Sequence, residues 1–132
     1  MYEKYGLLID NTWRPAASGK TIPVFSPATE DLIGEIPLAA SEDVAAVLKS
    51  AARGFETWRA MPAWDRARIM RKGADLIRER NDAIARIMSA ETGKPLAEAR
   101  AETNGAADQY EWYGRRAGKF HADSERQTPI GW

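Results

Sequence analysis

At Ser41 the spacing of apolar residues changes from every second position to nearly every fourth, and this divides the chain into two kinds of structure. Upstream of it, "GLLID" is a short apolar run closed by Asp10 and Asn11, and "NTWRPAASGK" is rich in residues that interrupt regular structure. "TIPVFSP" and "DLIGEIP" then follow as β-branched, apolar stretches separated by "ATE", a spacing that suits a hairpin. Pro23 and Pro37 have no amide hydrogen for a ladder, so these strands should lie at edges or end there. Residues 1–40 therefore read as a strand and turn-rich entry segment forming a small antiparallel unit.

Downstream the pattern is helical. Ser41 is a suitable N-cap, Glu42 and Asp43 put negative charge where the helix dipole favours it, and Val44, Val47, Leu48, Ala51, Phe55 and Trp58 share one apolar face. A second helix starts near Pro62 and turns Ile69, Met70, Ala74 and Ile77 inward. Asn81 and Asp82 can cap a third, with Ile84, Ile87 and Met88 as its stripe. Within "AETGKP", Gly93 accepts the left-handed conformation that closes a helix, and Pro95 prevents continuation and opens the next. The inner face of that fourth helix reads as Leu96, Ala99, Thr103, Ala106, Tyr110 and Tyr113. Gly105 in its middle costs about 1 kcal/mol relative to alanine, which points to a close helix neighbour. Trp13, Trp58, Trp64 and Trp112 read as packing residues. The helical part spans 41–118, and 119–132, "KFHADSERQTPIGW" after Gly118, has no period and reads as an irregular, truncated end.

Charge and inventory exclude several functions. Nineteen basic residues balance nineteen acidic ones, which leaves no electrostatic case for a nucleic acid or an anionic membrane as partner. The basic run "RARIMRKGADLIRER" is interleaved with Asp65, Asp75 and Glu79 and reads as a solvated face. The chain has no cysteine, so it holds no disulfide, thiolate metal site or thiol nucleophile. "MYEKYGLLID" is too short and polar for a secretory core, and no apolar run approaches the roughly eighteen residues that span a bilayer, so a cytoplasmic address is expected. There is no G-x-G-x-x-G after a strand, no P-loop and no H-E-x-x-H, and the single histidine, His121, has no sequence partner for a triad or metal site. Glu98 and Glu102 lie four apart on one helix face; geometry admits an acid–base pair, but with Arg100 beside them surface carboxylates are the simpler reading.

The ordered series "LLIDNTW", "ASGKTIPVFSPAT", "DLIGEIPLAASEDVAAVLKSAARGFETW", "DRARIMRKGADLIRERNDAIARIMSAETGKPLAEARAE" and "EWY" closely resembles the N-terminal part of the aldehyde dehydrogenase superfamily, above all its succinate-semialdehyde dehydrogenase-like members. The likeness runs from about Gly6 to Gly118. It implies the N-terminal part of a mixed α/β fold, with short antiparallel strands followed by about four α-helices, and residues 41–118 as the helical part of the cofactor-domain scaffold. The implied activity is oxidation of an aldehyde to a carboxylic acid with NAD or NADP: a cysteine thiolate attacks the aldehyde, hydride passes to the nicotinamide, and a glutamate activates water to hydrolyse the thioester. The cofactor-binding elements, the catalytic asparagine, the glutamate and the cysteine would all follow residue 132, so no catalytic or cofactor-binding residue is carried over.

The resemblance also implies two peripheral sites. Glu91 in "ETGKP" aligns with an acidic residue that in several relatives helps to bind a monovalent cation, together with the backbone carbonyl of Phe25; this chain has Ser26 where an asparagine is usual. The alternative is a solvated acid at a helix end. Glu102, Ala106 and Tyr110 lie on the helix that in the family borders the substrate entrance, with core packing as the alternative for Ala106 and Tyr110. A semialdehyde acid would be anchored by a cation, and Glu102 would repel it. Implied partners are a small aldehyde, the remainder of the enzyme and, in the full-length relative, further copies of itself. The contrasting reading is a non-catalytic scaffold or assembly module whose apolar helix faces need a partner chain.

Overall fold

The computed structural model describes residues 6–124, with side chains as far as Arg116. Its architecture is α/β, with short antiparallel strands followed by four helices, and the chain divides into two compact units. The first unit runs up to Thr57 and includes Arg86–Pro95; the second comprises Trp58–Ala85 and the chain from Leu96 onward.

In the first unit, β1 (Leu7–Ile9) pairs with β2 (Thr12–Arg14), Ile9 opposite Thr12, across a turn in which Asp10 and Asn11 have φ of 51° and 58°. Those positive angles match the right-handed strand twist, and Asp and Asn tolerate them better than most residues. β2 falls in the stretch read as turn-rich. Thr12 and Trp13 suit a strand, and pairing with β1 supplies hydrogen bonds that the surrounding Pro, Ser and Gly obscure in the sequence. The second hairpin is as expected: β3 (Thr21–Phe25) pairs with β4 (Leu32–Pro37), with an irregularity at Val24/Phe25. Among the described residues both sheets have two strands, so Pro23, opposite Glu35, sits on an edge where its missing amide is tolerated.

Helix α1 (Ser41–Ala60) begins one residue away from the expected cap. Val44 N–H donates to Ala40 O at 3.1 Å, so Ala40 is the cap and Ser41 the first helical residue. Asp43 takes over the capping function: its carboxylate accepts Ala40 N–H at 2.9 Å and Ala17 N–H at 3.0 and 3.2 Å. The face formed by Val44, Val47, Leu48, Ala51, Phe55 and Trp58 is helical but exposed. Arg53 bonds both Asp10 carboxylate oxygens, at 2.6 and 2.8 Å, so α1 meets the β1–β2 turn through charge.

In the second unit α2 (Ala63–Glu79) follows Pro62, whose carbonyl accepts the amides of Asp65 and Arg66. Arg66 also donates to the carbonyls of Trp58, Arg59 and Met61, neutralising the end of α1 where acceptors lack helical partners. Helix α3 (Asn81–Thr92) starts in this unit, and α4 (Leu96–Ser124) packs against α2. The residues buried here are small: Ala63, Ala67, Ala74, Ala85, Ala99, Thr103 and Ala107. Ile69 is 48% exposed rather than turned inward, and on α4 the inner stripe is Ala99, Thr103, Ala107 and Gly114, leaving Ala106, Tyr110 and Tyr113 exposed.

That rotation by one position has a packing cause. Helices approaching this closely admit small side chains at the seam and turn bulky ones to its flanks. A Cβ on Gly114 would lie 3.3 Å from Ala67 O and 3.4 Å from Met70 Cβ, so the close approach expected at Gly105 is found at Gly114; a Cβ on Gly105 meets no heavy atom within 4 Å. The third helix is also tied to the fourth. Asn81 donates to Arg100 O and Asn104 Oδ1 at 3.0 and 2.9 Å, and Asp82 pairs with Arg100, so both side chains join α3 to α4. Trp13, Trp64 and Trp112 are more than half exposed and Trp58 is 38% exposed, so indole packing is partial. Helix α4 continues past Gly118 to Ser124 despite the lack of apolar period there; the rest of the expected irregular end, 125–132, and the side chain of His121 lie outside the described residues.

Candidate functional site

The helix stop in "AETGKP" is built as its composition requires. Gly93 has φ of 73°, and its N–H donates to Ser89 O at 2.9 Å, which closes α3 after Thr92. Thr92 Oγ1 donates to Met88 O and Ser89 Oγ to Lys94 O, both at 2.7 Å, so hydroxyls fasten the segment that turns toward α4. This turn lies against the "S-P-A-T" loop: a Cβ on Gly93 would stand 3.1 Å from Pro27 Cγ. Ser26 is buried, donates its N–H to Asp31 O at 2.9 Å and accepts Glu30 N–H at 2.8 Å. The fold thus brings the loop after Phe25 beside the helix end that carries Glu91.

Glu91 is exposed and Phe25 is 54% exposed. A hard cation at a helix C-terminus draws on carbonyl oxygens with no helical donor. Among the described residues no three His, Cys, Asp or Glu side chains gather closely enough to hold a metal ion, so backbone oxygens would have to supply most ligands here.

On α4, Glu102, Ala106 and Tyr110 lie along one side, and all three are exposed. The Tyr110 ring borders α2, where a Cβ on Gly73 would be 3.3 Å from Tyr110 Cδ1; the phenol therefore rests on bare helix backbone and keeps nearly half its surface open. Core packing, the alternative for Ala106, does not describe it, because the buried position is Ala107.

Sequence reasoning missed a charged cluster further along α4. Arg78 of α2 donates to Asp108 at 2.8 Å and Glu111 at 2.6 Å, and Glu111 also accepts from Arg115. The hydrogen bond from Arg78, followed by that from Arg115, holds the Glu111 carboxyl below its ordinary value; bonds to Asp108 and then Glu111 raise the Arg78 guanidinium. Asp108, Glu111, Trp112 and Arg115 line an open recess, and Arg116 lies 5.5 Å from the Trp112 ring centre. The Glu111–Arg115 spacing was legible as a helical pair, whereas Arg78, thirty-three residues before Glu111, was not.

For a dinucleotide the described residues are a poor fit. Both described sheets are antiparallel two-stranded hairpins, and neither feeds a helix through the glycine-rich parallel strand–turn–helix that cradles a pyrophosphate. No helix among them is long and apolar enough to cross a membrane.

A family model described as "Aldehyde dehydrogenase family" matches residues 13–130. The glutarate-semialdehyde dehydrogenase of Pseudomonas aeruginosa is 38% identical over 116 residues, 88% of this chain and 24% of that protein. The NADP+ succinate-semialdehyde dehydrogenase of Escherichia coli K12 is 37% identical over 117 residues, 89% of this chain and 24% of that one. Among solved structures, an NAD-dependent aldehyde dehydrogenase from Sinorhizobium meliloti superposes with a TM-score of 0.81 at 37% identity, over 89% of this chain and 24% of its own. The chain spans about a quarter of the length of the curated relatives it matches.

Proposed function

Because the chain belongs to the aldehyde dehydrogenase family, we propose that it serves as the N-terminal portion of an NAD(P)-dependent enzyme that oxidises an aldehyde, with water, to a carboxylic acid. The observation that carries this reading is continuous likeness at 38% identity over 88% of the chain, to a segment that makes up 24% of the relative. In this reading residues 1–40 are the entry segment and 41–118 the helical part of the cofactor-domain scaffold, while the thiolate, the water-activating carboxylate and the dinucleotide cradle come from chain beyond residue 132. NAD or NADP supplies the hydride acceptor. What these residues contribute is wall and position. Glu102, Ala106 and Tyr110 border the substrate entrance, supported by their shared exposed side of α4. Phe25 O and Glu91 contribute to a monovalent-cation site, supported by the approach of Pro27 to Gly93.

The substrate class is a small aldehyde, with a semialdehyde acid favoured by the two curated relatives. Its distal carboxylate is anchored away from Glu102, whose like charge opposes it. The whole enzyme works in the cytoplasm as a homo-oligomer, and the isolated 132-residue chain is inactive. A chimera tests the reading: this chain replaces the matched segment of the Pseudomonas enzyme, and nicotinamide absorbance is followed with glutarate semialdehyde and either cofactor. Turnover by the chimera and none by the chain alone is expected. A folded, cofactor-binding chimera without turnover, or turnover by the isolated chain, overturns it.

A second reading, a non-catalytic scaffold that needs a partner chain, is favoured by the exposed apolar side of α1, where Leu48 and Phe55 are 65% and 60% exposed. Sedimentation separates the two readings: a specific dimer that covers this face supports the scaffold, and a compact monomer counts against it.

A further inference from the structure

We draw no further inference here: the strongest candidate, the exposed apolar face of α1 formed by Val44, Val47, Leu48 and Phe55, carries nothing because nothing in the structure shows what covers it.

Discussion

Among the described residues of the first unit those buried are Ile9, Ala16, Ser26 and Asp43, and most of the large apolar side chains, from Leu8 and Trp13 to Leu48 and Phe55, are exposed; in the second, a row of alanines with Thr103 is buried between closely packed helices. The first is organised by backbone amides converging on a carboxylate, by hairpin ladders and by the Arg53–Asp10 pair. The second is organised by distance of approach, with Gly114 against Ala67 and Met70. The difference teaches where each unit is brittle. A seam filled to its backbone fails when atoms are added, whereas a polar tie fails when its acceptor loses charge.

The largest expected effect lies in the seam. Ala67 is 0% exposed, and Ala67→Leu adds three carbons beside Gly114, so destabilisation of about 1–3 kcal/mol is expected from overpacking. Urea titration reads this as a lower midpoint at unchanged slope. An unchanged midpoint would mean that the helices separate freely, and the contrast between the units would break.

Next comes Asp43→Asn in the first unit. Hydrogen bonds from Ala40 N–H, then Ala17 N–H, hold the Asp43 carboxyl below its ordinary value. A depressed carboxyl contributes stability that is present above its unfolded-state value and is lost as pH falls through the folded-state value. The wild-type chain should therefore outlast the variant in thermal melts near neutrality, with the gap closing in acid. A gap independent of pH would show that shape, and not charge, makes the tie.

Gly93→Ala strains a left-handed position and meets Pro27 at 3.1 Å, for an expected loss of about 1–2 kcal/mol by chemical denaturation. Gly93→Asn should lose less, since asparagine enters this conformation more readily. Equal losses would point to the Pro27 contact alone.

The smallest effect sharpens the comparison by sign. Gly105→Ala enters open space on a helix and should stabilise by about 1 kcal/mol, while Gly114→Ala, facing the Ala67 carbonyl at 3.3 Å, should keep little or none of that gain. Equal gains would show that the seam yields.

Much of this was legible in advance because it depends on neighbours in the chain. The β3–β4 hairpin, α1 from Ser41 and the stop at Gly93 follow from local rules of pairing, periodicity and positive φ. At the candidate sites, the shared side of Glu102, Ala106 and Tyr110 follows from a spacing of four on α4. The exposure of that side does not follow, because it depends on which neighbouring stripe meets α2. The same limit explains Ile69: apolar character nominates a residue for burial, but the partner helix selects the face. The Arg78–Glu111 bond was illegible for a related reason, since no spacing within one helix reports on a cation from another.

The amino-acid order by itself determined most of the element types, the absence of a thiol and, through its ordered motifs, the family; β2 and the end of α4 were the exceptions. Tertiary packing decided that Ala107 and not Ala106 lies inside, that Gly114 and not Gly105 admits a neighbour, and that Asp43, besides capping its own helix, serves the distant amide of Ala17. The physical reason is range: dihedral preference and periodicity act over a few residues, whereas contact distance and desolvation are set by whatever part of the chain arrives on the other side.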